Sequence, residues 1–80
     1  MEINIKTFIS QLEEEFEDDV EQGTLKPETN LNEELELTSV NALILISLVK
    51  VEYNLILNAK DLNKCVTVLD LFNTVKRKLS

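Results

Sequence analysis

Residues 35–53 of the chain read LELTSVNALILISLVKVEY, and the predicted fold is built around this segment. From Ser39 onwards its only charged residues are Lys50 and Glu52, which predicts a largely apolar helix over about Ser39–Tyr53. At 100° per residue, the side chains of this helix form two apolar stripes. The stripe assigned to the core consists of Ala42, Leu45, Ile46, Val49 and Tyr53. The opposite stripe is predicted to bind a partner, and it consists of Val40, Ile44, Ser47, Leu48 and Val51.

The composition is typical of a small helical protein. The 80 residues predict one domain, over residues 1–80, with a single modest core. One glycine and one proline leave few turn signals for a β-fold, so we expect an all-α structure. The longest apolar run, ALILISLV, is far shorter than the roughly 20 residues that cross a bilayer. Because the N-terminus also lacks a signal-peptide pattern, we expect a cytoplasmic protein without a membrane span.

Residue types that are missing from the chain exclude several kinds of chemistry. Without histidine there is no His-based general acid–base pair, no Ser-His triad and no His metal site. The acidic residues form neither a calcium-loop pattern nor a convincing catalytic pair. We therefore expect neither a metal site nor an enzyme. The single cysteine, Cys65, is predicted to be a small buried hydrophobe rather than a reactive thiol.

Charge is distributed unevenly along the chain. Residues 1–38 contain twelve acidic residues and two lysines, a net of −10, whereas residues 39–80 contain three acidic and six basic residues, a net of +3. The acidic half repels nucleic acid, which we do not expect as a partner. The acids at 13–15 and 17–19 are predicted to form a solvated helix face. The basic cluster KRK at 76–78 is interpreted as complementing the negative end of a terminal helix.

Two more elements are predicted before the central helix. A first helix follows Asn4, a possible N-cap. Its apolar stripe consists of Ile5, Phe8, Ile9, Leu12 and Phe16. A long connection over residues 17–38 comes next, and it is unusual in length unless something holds it in place. The leucines predicted to hold it against the core are Leu25, Leu31, Leu35 and Leu37.

Two helices are predicted after the central one. A short helix is expected near Ala59–Asn63. The last helix begins at Thr67, where Asp70 completes a variant of the capping box. Its apolar stripe consists of Val68, Leu71, Phe72, Val75 and Leu79. The predicted architecture is therefore four helical segments around one core, with a long first connection.

Several of these segments resemble the acyl carrier proteins and the related peptidyl carrier domains. The segment PETNLNEELELTS resembles the family pattern Leu-Gly-Leu-Asp-Ser-Leu, with leucines at 35 and 37 and the serine at Ser39. Glu52 and Tyr53 match the acidic–aromatic pair that ends the family's second helix. The start of the last helix, TVLDL, matches a Thr-Val-x-Asp-Leu pattern. The resemblance covers essentially the whole chain, most firmly residues 27–75.

The resemblance implies a fold and a function. The fold would be a small four-helix bundle with a long first loop and a short third helix. In the family the serine carries 4'-phosphopantetheine through a phosphodiester, and its terminal thiol holds acyl or aminoacyl groups as thioesters. Ser39 stands at that position, so we expect it to carry the group. The implied partners are a phosphopantetheinyl transferase, a loading ligase and a downstream transferase or synthase, for a protein that is a monomer or a weak homodimer.

Three positions around the serine depart from the family pattern. Thr38 replaces the acidic residue before it, Val40 replaces the leucine after it, and Glu36 replaces the glycine. Aliphatic residues also replace the acids that line the exposed side of this helix in the family. These departures favour a specialised pathway over general fatty-acid synthesis.

Two alternatives stay open at this point. Ser39 could simply be the N-cap of the second helix. The chain could also be an interaction module that keeps the carrier fold without the prosthetic group. It would then bind a partner through the apolar face of the second helix.

Overall fold

The computed structural model describes residues 3–35 and 38–79. The helices of this part of the chain are α1 over Ile5–Glu15, α2 over Leu31–Leu35, α3 over Ser39–Tyr53, α4 over Ala59–Asn63 and α5 over Val68–Leu79. No strand occurs in the described ranges, although Asn30 and Thr67 form an isolated antiparallel bridge. The all-α prediction is confirmed. The predicted count of four helices is one too low, because α2 forms within the connection.

Side-chain caps account for where α1, α4 and α5 begin. Asn4 Oδ1 accepts a hydrogen bond from the backbone N–H two residues on, at 2.7 Å. At α4, Asn58 and Asp61 exchange side-chain and backbone bonds in a capping box. At α5, Asp70 N donates to Thr67 Oγ1 at 3.1 Å, and Thr67 N donates to Asp70 Oδ2 at 3.0 Å. The predicted starts at Asn4 and Thr67 are confirmed.

The core contains Phe8, which is fully buried within α1. Its ring packs edge-on against Phe72 of α5, with 5.6 Å between centroids, and at a tilt against Tyr53 of α3, with 6.1 Å between centroids. Such aromatic pairs each contribute about 0.5–1.5 kcal/mol beyond the area they bury. All five helices contribute buried apolar residues to the same core. The stripes predicted for the first and last helices face it, with Leu79 half-buried at the end.

The connection between α1 and α2 is held against the core by a few buried aliphatic side chains, whereas most of its other side chains are exposed. Leu25, Leu31 and Leu35 are buried, as predicted, whereas Leu37 lies outside the described residues. Three backbone hydrogen bonds, which we call the clasp, join residues 27–31 to residues 66–69. They are Leu31 N to Val66 O at 2.9 Å, Val68 N to Thr29 O at 3.0 Å, and Leu69 N to Pro27 O at 2.9 Å.

Glu13 is buried, so its assignment to a solvated acidic face is wrong. Its Oε2 atom accepts hydrogen bonds from Gly23 N at 2.8 Å and from Leu25 N at 3.1 Å. Gly23 has a φ of +88°, in the left-handed region that favours glycine. The connection therefore turns back over α1 and covers Glu13, and the two charge-assisted bonds offset the cost of burying the side chain. The other acids of residues 13–19 are exposed, as predicted.

Candidate functional site

Thr38 is the N-cap of α3. Its backbone is extended, and its Oγ1 accepts a hydrogen bond from Asn41 N at 3.3 Å. Its carbonyl oxygen accepts the first helical bond, from Ala42 N at 2.8 Å. The alternative that Ser39 serves as the cap is therefore wrong, and the helix begins without using the Ser39 hydroxyl.

Ser39 is exposed as the first residue of α3, and its hydroxyl makes no hydrogen bond to any described residue. The backbone N–H groups of Ser39 and Val40 likewise have no acceptor within the described part of the chain. Both lie at the positive end of the helix dipole, where a phosphate ester is favoured. No described basic side chain contacts the Ser39 hydroxyl.

Asn41 holds the first turn of α3 against the end of α2. Its Nδ2 atom donates to Leu35 O at 2.7 Å. Leu35, at the first leucine position of the quoted pattern, is fully buried. Glu36 and Leu37, at the glycine and second leucine positions, lie outside the described residues. The Asn41 bond therefore brings the first leucine and the serine of this pattern, Leu35 and Ser39, to adjoining helix ends.

One side of α3 is apolar and open to solvent. Val40 is 66% exposed, Leu43 is 64% exposed and Val51 is 79% exposed, and the exposed Ser47 lies among them at 100° per residue. These four residues are named the α3 apolar surface. Neither of the two stripes predicted from the sequence includes Leu43. Its position within 40° of Ser47 is the signal that could have identified it.

The predicted partner-binding stripe needs two corrections. Leu48 is only 7% exposed and belongs to the core, and Ile44 is half-buried. Leu48 lies on the same flank of α3 as Asn41 and Glu52. Asn41 bonds to α2 as described, and Glu52 Oε2 accepts a hydrogen bond from Gln11 Nε2 of α1 at 3.3 Å. Since α1 and α2 both approach this flank, Leu48 is covered and cannot belong to a docking surface.

Cys65 and Tyr53 are structural residues. The Cys65 thiol is buried and contacts Asp61 O at 3.2 Å, and burial raises its pKa. Cys65 also lines a cavity of about 120 Å³ together with Ala42 of α3 and Ala59 of α4. Tyr53 is buried and donates from its hydroxyl to Gln11 Oε1, and burial followed by the nearby Glu52 charge raises its pKa. Neither side chain is poised for nucleophilic chemistry, and the prediction of a buried Cys65 is confirmed.

Residues 3–35 and 38–79 contain neither a metal-binding cluster nor a membrane-spanning helix. No group of three or more Cys, Asp or Glu side chains in these ranges could hold a metal ion. In the same ranges, each helix is too short or too polar to cross a bilayer.

Comparisons with known proteins add no relative at a significant level: no family model matches the chain, and no curated protein or solved structure does.

Proposed function

We propose that the chain is a carrier protein of the acyl-carrier-protein type, with 4'-phosphopantetheine attached to Ser39. The observation that carries the proposal is the exposed Ser39 hydroxyl at the start of α3, which bonds to no described residue, beside a different residue, Thr38, that caps the helix. The group would supply a terminal thiol that holds acyl or aminoacyl cargo as thioesters. In this role the chain is a carrier and not an enzyme.

The residues around Ser39 fit a phosphodiester at this position. The hydroxyl is exposed, so a transferase has access to it. The N–H groups of Ser39 and Val40 have no acceptor among the described residues and could donate to a phosphate oxygen, and no acidic side chain occupies the first turn of α3. Thr38, at the position of the family's acid, still caps the helix, so the departure from the pattern leaves the local backbone intact.

The order of the helices also supports the proposal. The longer helices α1, α3 and α5, together with the short α4, would be the four helices of the carrier bundle, and α2 would be an extra turn in its long first loop. The predicted bounds of the central helix and of the short helix agree with α3 and α4. A single domain over residues 1–80 with a cytoplasmic location belongs to the same proposal.

The α3 apolar surface is the proposed docking face for the partners of the carrier. It begins at Val40, directly after Ser39, so an enzyme that reaches Ser39 must pass close to it. Its aliphatic side chains suit an apolar groove rather than a basic patch. This supports a dedicated transferase, loading ligase and downstream transferase or synthase, in a specialised pathway, with the free protein a monomer or a weak homodimer.

The intact mass of the protein purified from its native cell tests the proposal. We expect a fraction that is heavier by one phosphopantetheine, and we expect Ser39→Ala to abolish this fraction. Ser10→Ala is the matched control, because it removes an exposed serine hydroxyl from α1, outside the α3 apolar surface, and should leave the modification unchanged. Unmodified protein in the presence of its cognate transferase would rule the carrier function out.

A second candidate function is an unmodified interaction module. The exposure of Val40, Leu43 and Val51 favours it, because adjacent exposed aliphatic residues on a small protein mark an interface. A partner captured from the native cell would then bind equally well to wild type and to Ser39→Ala. Leu43→Glu would weaken that binding in either case, so only the Ser39 variant separates the two functions.

A further inference from the structure

The ends of α4 and α5 form a basic cleft far along the chain from Ser39. It has a volume of about 330 Å³, at the lower end of the roughly 300–1,000 Å³ range of small-molecule sites. Its lining residues are Asp61, Lys64, Thr74, Arg77 and Lys78. Three cations and one carboxylate therefore face the same space, a net charge of +2 in a chain whose overall charge is −7.

The Asp61 carboxylate forms an ion pair with one of these cations, Lys78, and attracts Lys64 at longer range. Its Oδ2 atom pairs with Lys78 Nζ at 3.3 Å and accepts from Asn58 N at 3.1 Å. The Asn58 hydrogen bond, followed by Lys78, lowers the pKa of Asp61, so the carboxylate stays ionised at neutral pH. Lys64 forms no hydrogen bond or ion pair with any described residue. Lys64 and Arg77 thus supply the excess charge.

Thr74 orients the Arg77 guanidinium. The Thr74 hydroxyl donates to Asp70 O at 2.9 Å, which commits its proton and leaves Oγ1 as an acceptor. Arg77 Nη2 donates to that oxygen at 3.4 Å. Thr74 is buried, so the contact lies at the inner side of the cleft. Of the five N–H donors of Arg77, the others have no acceptor within the described ranges.

The α5 dipole accounts for only some of the cations that line this cleft. Lys64 comes from the end of α4, where the α5 dipole does not reach, and it faces the same cleft. At 100° per residue, Lys76 points away from the side of α5 that carries Thr74, Arg77 and Lys78. Two helices therefore converge their cations on one concave space.

We propose that this cleft binds the dianionic phosphate group of an organic phosphate monoester. A phosphate monoester carries a charge of about −1.5 to −2 at pH 7, which matches the net charge of the cleft. The Arg77 fork can hold two phosphate oxygens, and Lys64 can hold a third as a point charge. The inference stands apart from Ser39 and from whatever group that residue carries.

Nuclear magnetic resonance titration of the Ser39→Ala protein tests the proposal without any attached phosphate. Glycerol 3-phosphate should produce saturable shifts at the amides of Lys64, Thr74 and Arg77. Glycerol, and sodium chloride at the same ionic strength, should not. If sodium chloride reproduces the shifts, the cleft only concentrates counterions and the proposal is overturned. Succinate that binds as tightly as glycerol 3-phosphate would overturn the assignment to phosphate.

Charge-matched variants locate the site. Arg77→Gln should weaken binding by about tenfold or more, the effect of losing a charge-assisted hydrogen bond. Lys76→Gln removes the same charge from the opposite side of α5 and should change binding by less than about twofold, as expected for a screened, more distant charge. Equal loss in both variants would contradict a specific site. Should Arg77→Gln unfold, Lys64→Gln makes the same comparison from α4.

The source of the phosphate follows from one more comparison. Glycerol 3-phosphate and a short glycine-flanked phosphoserine peptide present the same group with different surroundings. Tighter binding of the peptide would identify a phosphorylated protein segment as the ligand, and tighter binding of glycerol 3-phosphate would identify a small organic phosphate. If neither binds saturably, the cleft is not a phosphate site.

Discussion

The helices α3 and α5 both pack against α1, but they present different surfaces to solvent. α5, with 12 residues, exposes charged side chains that include the KRK cluster at 76–78. α3, with 15 residues, exposes Val40, Leu43 and Val51. The outer face of α5 is therefore charged, as is usual for a surface helix, whereas α3 carries more apolar residues than the core uses. The proposed docking role would use this surplus of exposed apolar residues on α3.

The largest expected effect is a difference in the free energy of unfolding between alanine variants of two leucines of α3. Leu48→Ala should lower the free energy of unfolding by about 2–5 kcal/mol, because it opens a cavity in the core. Leu43→Ala makes the same chemical change on the exposed side and should stay within about 0.5 kcal/mol of wild type. Chemical denaturation of the two variants measures both values. Similar losses at the two positions would mean that both sides of α3 are covered.

The next effect concerns how α3 begins. Thr38→Ala should lower the free energy of unfolding by about 0.5–2 kcal/mol, since Thr38 Oγ1 caps the helix. Ser39→Ala should change it by less than about 0.5 kcal/mol, as exposed substitutions usually do. Denaturation curves of the unmodified proteins make the measurement. A larger loss for Ser39→Ala than for Thr38→Ala would show that the serine hydroxyl has a structural role.

The smallest expected effect is a difference between the α3 cap and the α5 cap in how the stability that each contributes depends on pH. Hydrogen bonds from Thr67 N and then from Val66 N lower the pKa of Asp70. The stabilisation of the fold by the Asp70 carboxylate is therefore fully present above its unfolded pKa, about 3.9. It is lost as the pH falls through the lower folded pKa. The α3 cap uses a hydroxyl and has no such dependence.

Denaturation at two pH values tests this difference. Asp70→Asn should be less stable than wild type at pH 7, and the gap should narrow at acidic pH, as the pH falls from about 3.9 towards the lower folded pKa of Asp70. The effect of Thr38→Ala should be the same at both values. A gap for Asp70→Asn that persists at low pH would indicate that the carboxylate charge contributes nothing to the α5 cap.

The predictable parts of the fold are those whose signals are local. The caps at Asn4 and Thr67 need only side-chain oxygens near the backbone groups they satisfy, so the first and last helices could be predicted. The polar face of α5 also indicates which side is buried. α3 has apolar residues almost all round, and its periodicity does not determine its orientation. The burial of Leu48 depends on where α1 and α2 lie.

The candidate site was predictable to a similar extent. The position of Ser39 at a helix start follows from the sequence, because the apolar run that forms α3 begins directly after Ser39. That Thr38 rather than Ser39 caps the helix depends on one residue of register, which helix propensity does not resolve. The burial of Glu13 and the convergence of Lys64 with Arg77 both depend on segments distant in the chain. Such long-range contacts leave no periodic trace.

The clasp has a consequence for how this protein tolerates changes in length. Residues 27–31 are joined to residues 66–69 by backbone bonds whose register would shift with any inserted or deleted residue. Residues 17–19 and 21–22 are exposed, lie before the clasp and carry side chains outside the core. Loops with these properties are where insertions and domain fusions are accepted. Variation in length, whether natural or engineered, should therefore concentrate before Gly23 and be excluded within residues 27–31 and 66–69.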